Sequence, residues 1–270
     1  MRRILSFDCQ GDWLAATLDE GTAATGLLIV SGGNEIRIGA HRGMAKLAQD
    51  VAAADYPVFR FDRRGVGDSE GKNSGFTGSG ADIAAAVEAF QSACPALKQI
   101  IAFGNCDAAS ALMIHRPRGI DAAILANPWV IEPTSDLPPP AAIKARYVEK
   151  LRDPRALFRL FTGGVNLRKL LNGLRSVAQP AEPSPLADQV AAGMAAFAGP
   201  MHIILAERDG TAIAFADQWR RPVFAEARLR ADVTVQMLDS ASHSFVSNAD
   251  YGVFRQIILS ALKDVPTRPG

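Results

Sequence analysis

Cysteine, histidine and net charge are all scarce in this chain, and each shortage excludes something. Only Cys9, Cys94 and Cys106 occur in 270 residues; an odd number in no ligand-like spacing argues against a disulfide framework and against a zinc site. A formal net charge of +1 supplies no global field to attract nucleic acid or an anionic membrane surface. No uninterrupted apolar stretch reaches bilayer-spanning length, and the run ILSF after Arg2 and Arg3 is too short for a signal peptide. With 48% hydrophobic and 21% charged residues, the composition is that of an ordinary globular protein, one large domain or one domain with an insertion. The expectation is a reduced, cytoplasmic enzyme or binding protein, without metal or cofactor, whose oligomeric state stays open.

What is there centres on Lys98 to His115, KQIIAFGNCDAASALMIH. An apolar run ends in Gly104-Asn105-Cys106-Asp107-Ala108 and then becomes Ala-rich, which reads as a strand, a sharp turn and a helix with Cys106 at the apex. This is the pattern of the nucleophile elbow, G-x-S-x-G, in which small residues two before and two after the nucleophile let strand and helix approach. Here Gly104 and Ala108 hold the small positions and the nucleophile is a thiol. Unpaired N–H groups and the positive end of the helix dipole favour an anion at such a site, and the thiolate is the reactive form of cysteine. A cysteine after an apolar run is more often a small buried hydrophobe, so the remainder of the chain has to decide.

Residues 2 to 8 and 13 to 18 read as an edge hairpin, and 26 to 30 (GLLIV) as a strand buried on both faces, closed by Ser31-Gly32-Gly33-Asn34. A helix over 41 to 54 and a strand over 56 to 61 follow. The glycine-rich loop Asp62 to Gly71 invites a dinucleotide reading, but the phosphate-binding version runs directly into a helix, and here more loop precedes the helix of 80 to 93. A strand over 121 to 126 restores the alternation that builds a mostly parallel, doubly wound sheet. Residues 130 to 198 break it, with Pro133, Pro138 to Pro140 and helical patterns at 141 to 152, 154 to 162 and 166 to 177. The division expected is a core of 1–129 and 199–270 with a helical cap inserted over 130–198. Between Lys144 and Arg175 that insertion carries nine Lys and Arg against Glu149 and Asp153; these are solvated helix faces, or a rim that attracts an anionic or carrier-borne substrate. Strands at 201 to 206 and 232 to 238 and a helix at 250 to 263 complete the chain.

Cys106, Asp209 and His243 thus appear in the order nucleophile, acid, histidine, each just after a predicted strand. The chain resembles the α/β-hydrolase superfamily in this order and in five motifs: GLLIVSGG for the oxyanion strand and loop, FDRRGVGDSEG for D-x-R-G-x-G-x-S, GNCDA for the elbow, and LAERD and SHSF for the acid and histidine turns. The runs SGGNEIRIGAHR and FDRRGVGDSEG, with a Cys elbow G-x-C-D-A-A, are similar to the exosortase A system-associated hydrolases, bacterial proteins encoded near exopolysaccharide and protein-sorting genes. Asn34 stands where that pattern has proline. The resemblance implies an α/β-hydrolase fold.

The roles then follow from chemical need. Cys106 attacks an acyl carbonyl, His243 moves the proton, and Asp209 orients the imidazole and stabilises its cation. The oxyanion is expected on the backbone N–H of Asp107 and on one from Gly33 or Asn34. His41 and Arg42 either contact substrate or cap the following helix; His115 and His202 are expected to be structural. Asp217 and Asp239 are the rival acids. The expected substrate is a small-molecule acyl ester or thioester, the acyl group carried on CoA or on a carrier protein in one version. An acyltransferase on the same residues and a non-catalytic hydrolase-like binding protein are the alternatives.

Overall fold

The structure, a computed structural model, describes residues 1–131 and 184–264. Eight strands form one sheet in the order β1-β2-β4-β3-β5-β6-β7-β8. They are β1 (Arg2–Cys9), β2 (Asp12–Asp19), β3 (Thr25–Val30), β4 (Val58–Phe61), β5 (Gln99–Asn105), β6 (Ala122–Ala126), β7 (Met201–Ala206) and β8 (Val233–Leu238). β1 and β2 are an antiparallel hairpin, β2 pairs antiparallel with β4, and every other pairing is parallel. This is the α/β-hydrolase architecture expected from the sequence, and the GLLIV, IIAF and AAILA runs are its buried centre. Parallel strands covered by helices on both faces have no solvent side, so their sequences cannot alternate.

The helices are α1 (Gly43–Ala53), α2 (Gly80–Ala93), α3 (Asp107–His115), α4 (Pro185–Ala196), α5 (Gly210–Trp219), α6 (Ala225–Leu229) and α7 (Asn248–Asp264). One core joins β-strand side chains to Ile83, Val87 and Phe90 of α2, Leu112 and Met113 of α3, Leu186 and Val190 of α4 and Phe215 of α5. The other joins Leu47 and Val51 of α1 to Phe254 and Ile258 of α7 across Phe103 and Ile124. Phe245, just past His243, stacks on Phe254 with centroids 4.7 Å apart, which ties the histidine turn to the second core.

Residues 132–183 lie outside the described residues, and with them most of the expected cap, its three helical patterns and its cationic stretch. The far end of the segment grouped with the insertion is described. It is α4, whose N-cap Ser184 accepts the Ala187 N–H at 3.1 Å and which lies against α3. A Cβ at Gly193 would stand 2.0 Å from the Met113 carbonyl oxygen, so glycine there permits the contact. Leu186, Val190 and Met194 of this helix are buried in the first core. Among the described residues no helix is long and apolar enough to cross a membrane.

Candidate active site

The elbow is built as its residues dictate. β5 delivers the chain to Cys106, whose backbone at φ 62°, ψ −127° is a conformation that costs an L-residue about 1–3 kcal/mol and persists only where the surroundings enforce it. They do: the Cys106 N–H donates to Ala126 O at 2.9 Å, and its carbonyl accepts from Trp129 N at 3.1 Å. A Cβ on Gly104 would come within 2.7 Å of the Ala108 and Ala109 backbone, so the small residue before the turn is a steric requirement. Cys106 itself is partly exposed, whereas Cys9 is buried.

β7 ends at Ala206, and Asp209 N-caps α5, accepting from Thr211 N and Ala212 N, both at 3.0 Å. The same oxygen faces His243 Nδ1 at 3.1 Å. Cys106 also acts electrostatically on the imidazole and favours its cation. The hydrogen bond with Asp209, and then the interaction with Cys106, outweigh burial and raise the His243 pKa to about 10. Burial pushes the Asp209 carboxyl up, but the hydrogen bond and charge of His243, with the two α5 N–H groups, hold it below the usual carboxylate range. Asp209 and His243, 34 positions apart in sequence, are thus hydrogen-bonded at the carboxyl ends of the strands, with Cys106 acting on the same imidazole. The rivals are elsewhere: Asp239 is an exposed partner of Arg208, and among the described residues Asp217 has no ion pair within 4 Å and His243 pairs with Asp209 alone.

The expected oxyanion elements also meet. Asp107 opens α3, and the N–H groups of a first helical turn have no partner within the helix. Gly33 and Asn34 are the central residues of a turn closed by Glu35 N to Gly32 O at 3.0 Å, with Gly33 at φ 56°. The Gly33 N–H, however, donates to Asp107 Oδ1 at 2.6 Å, a use of that donor the sequence did not foreshadow. Asn34 accepts from Asn73 Nδ2 at 2.8 Å through its side chain, leaving its backbone aimed by the turn alone.

His41 and Arg42 are both exposed at left-handed φ values of 51° and 62°, and neither side chain caps α1. His41 instead lines a cavity of about 120 Å³ with Met44, Phe103, Asn105, Phe245 and Tyr251; Arg42 is not among its walls. His115 bonds Phe76 O at 3.1 Å and His202 bonds Thr234 Oγ1 at 3.0 Å, both away from the cysteine. Burial lowers the His202 pKa. The glycine-rich loop after β4 closes on its own carboxylates: buried Asp62 accepts the Arg37 N–H at 2.5 Å and the Asp68 N–H at 3.2 Å and pairs with the Arg37 guanidinium. A Cβ at Gly67 would meet Asp62 at 2.3 Å. The loop braces the segment behind the Gly32-Gly33 turn. Among the described residues no three His, Cys, Asp or Glu side chains gather as a metal site would require.

Two residues that the sequence reading passed over position the histidine. Asn127 is fully buried at φ 43°; its Nδ2 donates to His243 O at 3.1 Å and to Asn105 Oδ1 at 3.2 Å, and its Oδ1 accepts Ala206 N at 2.9 Å. Asn105 Nδ2 donates to the same His243 carbonyl at 3.2 Å. The available signal was Asn-Pro directly after a strand, a combination suited to a left-handed turn. Asn127→Ala leaves buried groups unpaired, at about 1–3 kcal/mol. The expected result is a lower melting temperature, by calorimetry, together with a fall in kcat that leaves KM nearly unchanged.

A model of the family described as serine aminopeptidase, S33, matches residues 25–160, which include the oxyanion turn, the glycine-rich loop and the elbow. The chain belongs to this family. It is therefore an α/β-hydrolase, one with cysteine at the turn apex although the family is described by a serine enzyme. No curated protein matches this hydrolase in sequence. Solved structures similar to it include an esterase of Pyrococcus furiosus (14% identity, TM-score 0.68, covering 98% of this chain and 91% of that one). DcsB, solved in complex with its substrate analogue, is 10% identical with a TM-score of 0.64 and is covered over 100% of both chains. A dienelactone hydrolase from Anabaena variabilis is 12% identical with a TM-score of 0.64, over 98% of each chain. At such identities the likeness is one of fold.

Proposed function

We propose that this hydrolase cleaves a small-molecule acyl ester or thioester through an acyl-cysteine intermediate. The observation that supports the reading is the Asp209–His243 hydrogen bond at 3.1 Å, with the partly exposed Cys106 at the elbow acting on the same imidazole. Transfer of the Cys106 thiol proton to His243 forms the attacking thiolate, and the raised His243 pKa favours the imidazolium that results. The sulfur attacks the carbonyl carbon, the carbonyl electron pair moves to oxygen, and the imidazolium gives its proton to the departing alkoxide or thiolate. Neutral His243 then takes a proton from water as the oxygen attacks the acyl-cysteine; collapse returns the thiolate and the imidazolium. Asp209 stabilises the cation throughout and fixes the ring.

Thioesters are the preferred version, because exchange between matched thiols is facile; the ester names of the fold relatives support the broader class. The runs SGGNEIRIGAHR and FDRRGVGDSEG support placement among the exosortase-associated hydrolases, and so a link to exopolysaccharide chemistry. The test is a screen of acyl esters and acyl-CoAs with intact-mass detection of an acyl adduct, Cys106→Ala serving as control. Turnover in wild type with no adduct and no loss in the variant sinks the proposal.

The raised His243 pKa gives the pH dependence a sign. Departure of the leaving group needs the imidazolium, so kcat/KM is expected to hold through neutral and mildly alkaline pH and to fall as pH rises through about 10. The same shift makes the ion pair's contribution to stability complete below the imidazole's unfolded value, about 6.5, and lost as pH rises through about 10. A kcat/KM profile falling instead near pH 7 would contradict the pairing.

A further inference from the structure

The Asp107 side chain occupies the donor that an acyl oxygen needs. Its Oδ1 takes the Gly33 N–H at 2.6 Å, and a Cβ at Gly32 would come within 2.6 Å of the same oxygen, so the carboxylate lies flat on the oxyanion turn. The turn is held from behind. Arg63, only 4% exposed, donates through Nη2 to the Gly33 carbonyl and keeps a buried Nε with no hydrogen-bond partner. Burial lowers the Arg63 pKa while the charges of Asp107 and Asp82 oppose that shift. With the turn anchored by Arg63, freeing the Gly33 N–H falls to the Asp107 side chain, which is partly exposed.

The charge of that carboxylate acts on buried Arg63 but forms no ion pair among the described residues. Among the described residues it has no cation within 4 Å; the ion pairs nearby are Arg64 with Asp82 and Arg37 with Asp62 and Asp68. A carboxylate one residue from the nucleophile repels a developing oxyanion and any anionic acyl group, and attracts a cation. A substrate ammonium can replace the neutral Gly33 N–H with a donor that is itself charged, so that both partners of the hydrogen bond are ionised.

Resting on the reading of Cys106 as acyl acceptor, we infer that Asp107 is a specificity-determining residue: it plugs the oxyanion turn in the free enzyme and leaves Gly33 to bind an ammonium carried beside the scissile carbonyl. The substrates favoured are then aminoacyl esters and thioesters over neutral or anionic ones. Arg63 is the positioning residue that keeps the turn fixed during the exchange.

Two variants separate hydrogen bond from charge. Asp107→Asn keeps an acceptor for Gly33 without the charge and preserves the side chain's shape, and Asp107→Ala removes both. The first readout needs no turnover: Cys106 is labelled with cationic aminoethyl, neutral methyl and anionic sulfonatoethyl methanethiosulfonates, each of which transfers its thioalkyl group to the sulfur and releases sulfinate. The cationic-to-neutral rate ratio is expected to fall at least tenfold in both variants and the anionic-to-neutral ratio to rise. The second readout compares glycine phenyl ester with phenyl acetate, for which kcat/KM selectivity should fall at least tenfold in both variants. Ratios within twofold of wild type in both variants, by either readout, overturn the inference. Failure of wild type to turn over any ester would instead sink the hydrolase proposal, and the labelling ratios would still decide the role of Asp107.

Discussion

Cys106→Ala is expected to reduce ester or thioester turnover by at least about 10⁴-fold, because it removes the nucleophile and with it the covalent route; residual rate comes from binding and the oxyanion groups alone. The acyl adduct seen by intact mass should vanish with it. Cys9→Ala and Cys94→Ala serve as opposite controls. Burial, reinforced by the Asp82 charge, drives the Cys9 pKa up to about 11, and burial also raises that of Cys94, so neither is poised as a nucleophile. Limiting iodoacetamide should label the partly exposed Cys106 first and spare the other two, whose raised pKa values keep them as thiols. Equal labelling of all three cysteines, or retained turnover in Cys106→Ala, would refute the assignment of the nucleophile.

His243→Ala is expected to cost nearly as much, and for a reason that its own signature exposes. The variant loses both the cation that faces the thiolate and the acid that protonates the leaving group. An ester with a good leaving group, such as a p-nitrophenyl ester, should therefore lose less than an alkyl ester, by roughly 10-fold or more, since proton transfer contributes about 10²–10⁴ to such reactions. Labelling of Cys106 should slow in parallel. Asp209→Asn keeps the α5 cap oxygen but not the charge. It should lower kcat by about 10²–10⁴, the upper figure being that of the equivalent change in a serine triad, and should move the alkaline limb of the profile down from about 10. Undiminished activity in Asp209→Asn would shift attention to another acid, though among the described residues His243 pairs with no other within 4 Å.

The buried parallel strands were legible because their composition admits no other placement: GLLIV and AAILA have no polar face to turn to water. The elbow was legible for a related reason. Gly104 and Ala108 are small because the backbones of β5 and α3 meet there, and that steric demand is local in sequence. The positions of Asn105 and Asn127 were not legible, because their meaning lies in a carbonyl, that of His243, more than a hundred residues away. Nor was the use of Asp107. Its side chain reads as an ordinary acidic residue in a first helical turn, and only the return of the Gly32-Gly33 turn beside it turns that acid into a competitor for an oxyanion donor.

By itself the sequence determined the strand order along the chain, the strand–turn–helix that presents Cys106, and the placement of Cys106, Asp209 and His243 just after strands, since each follows from periodicity, side-chain volume and backbone preference within a few neighbours. The tertiary structure decided which acid faces His243, what holds the histidine turn, and that Asp107 rests on the Gly33 N–H. Those are distances between groups remote along the chain, and they exist only once the sheet has closed and fixed its loops at one rim.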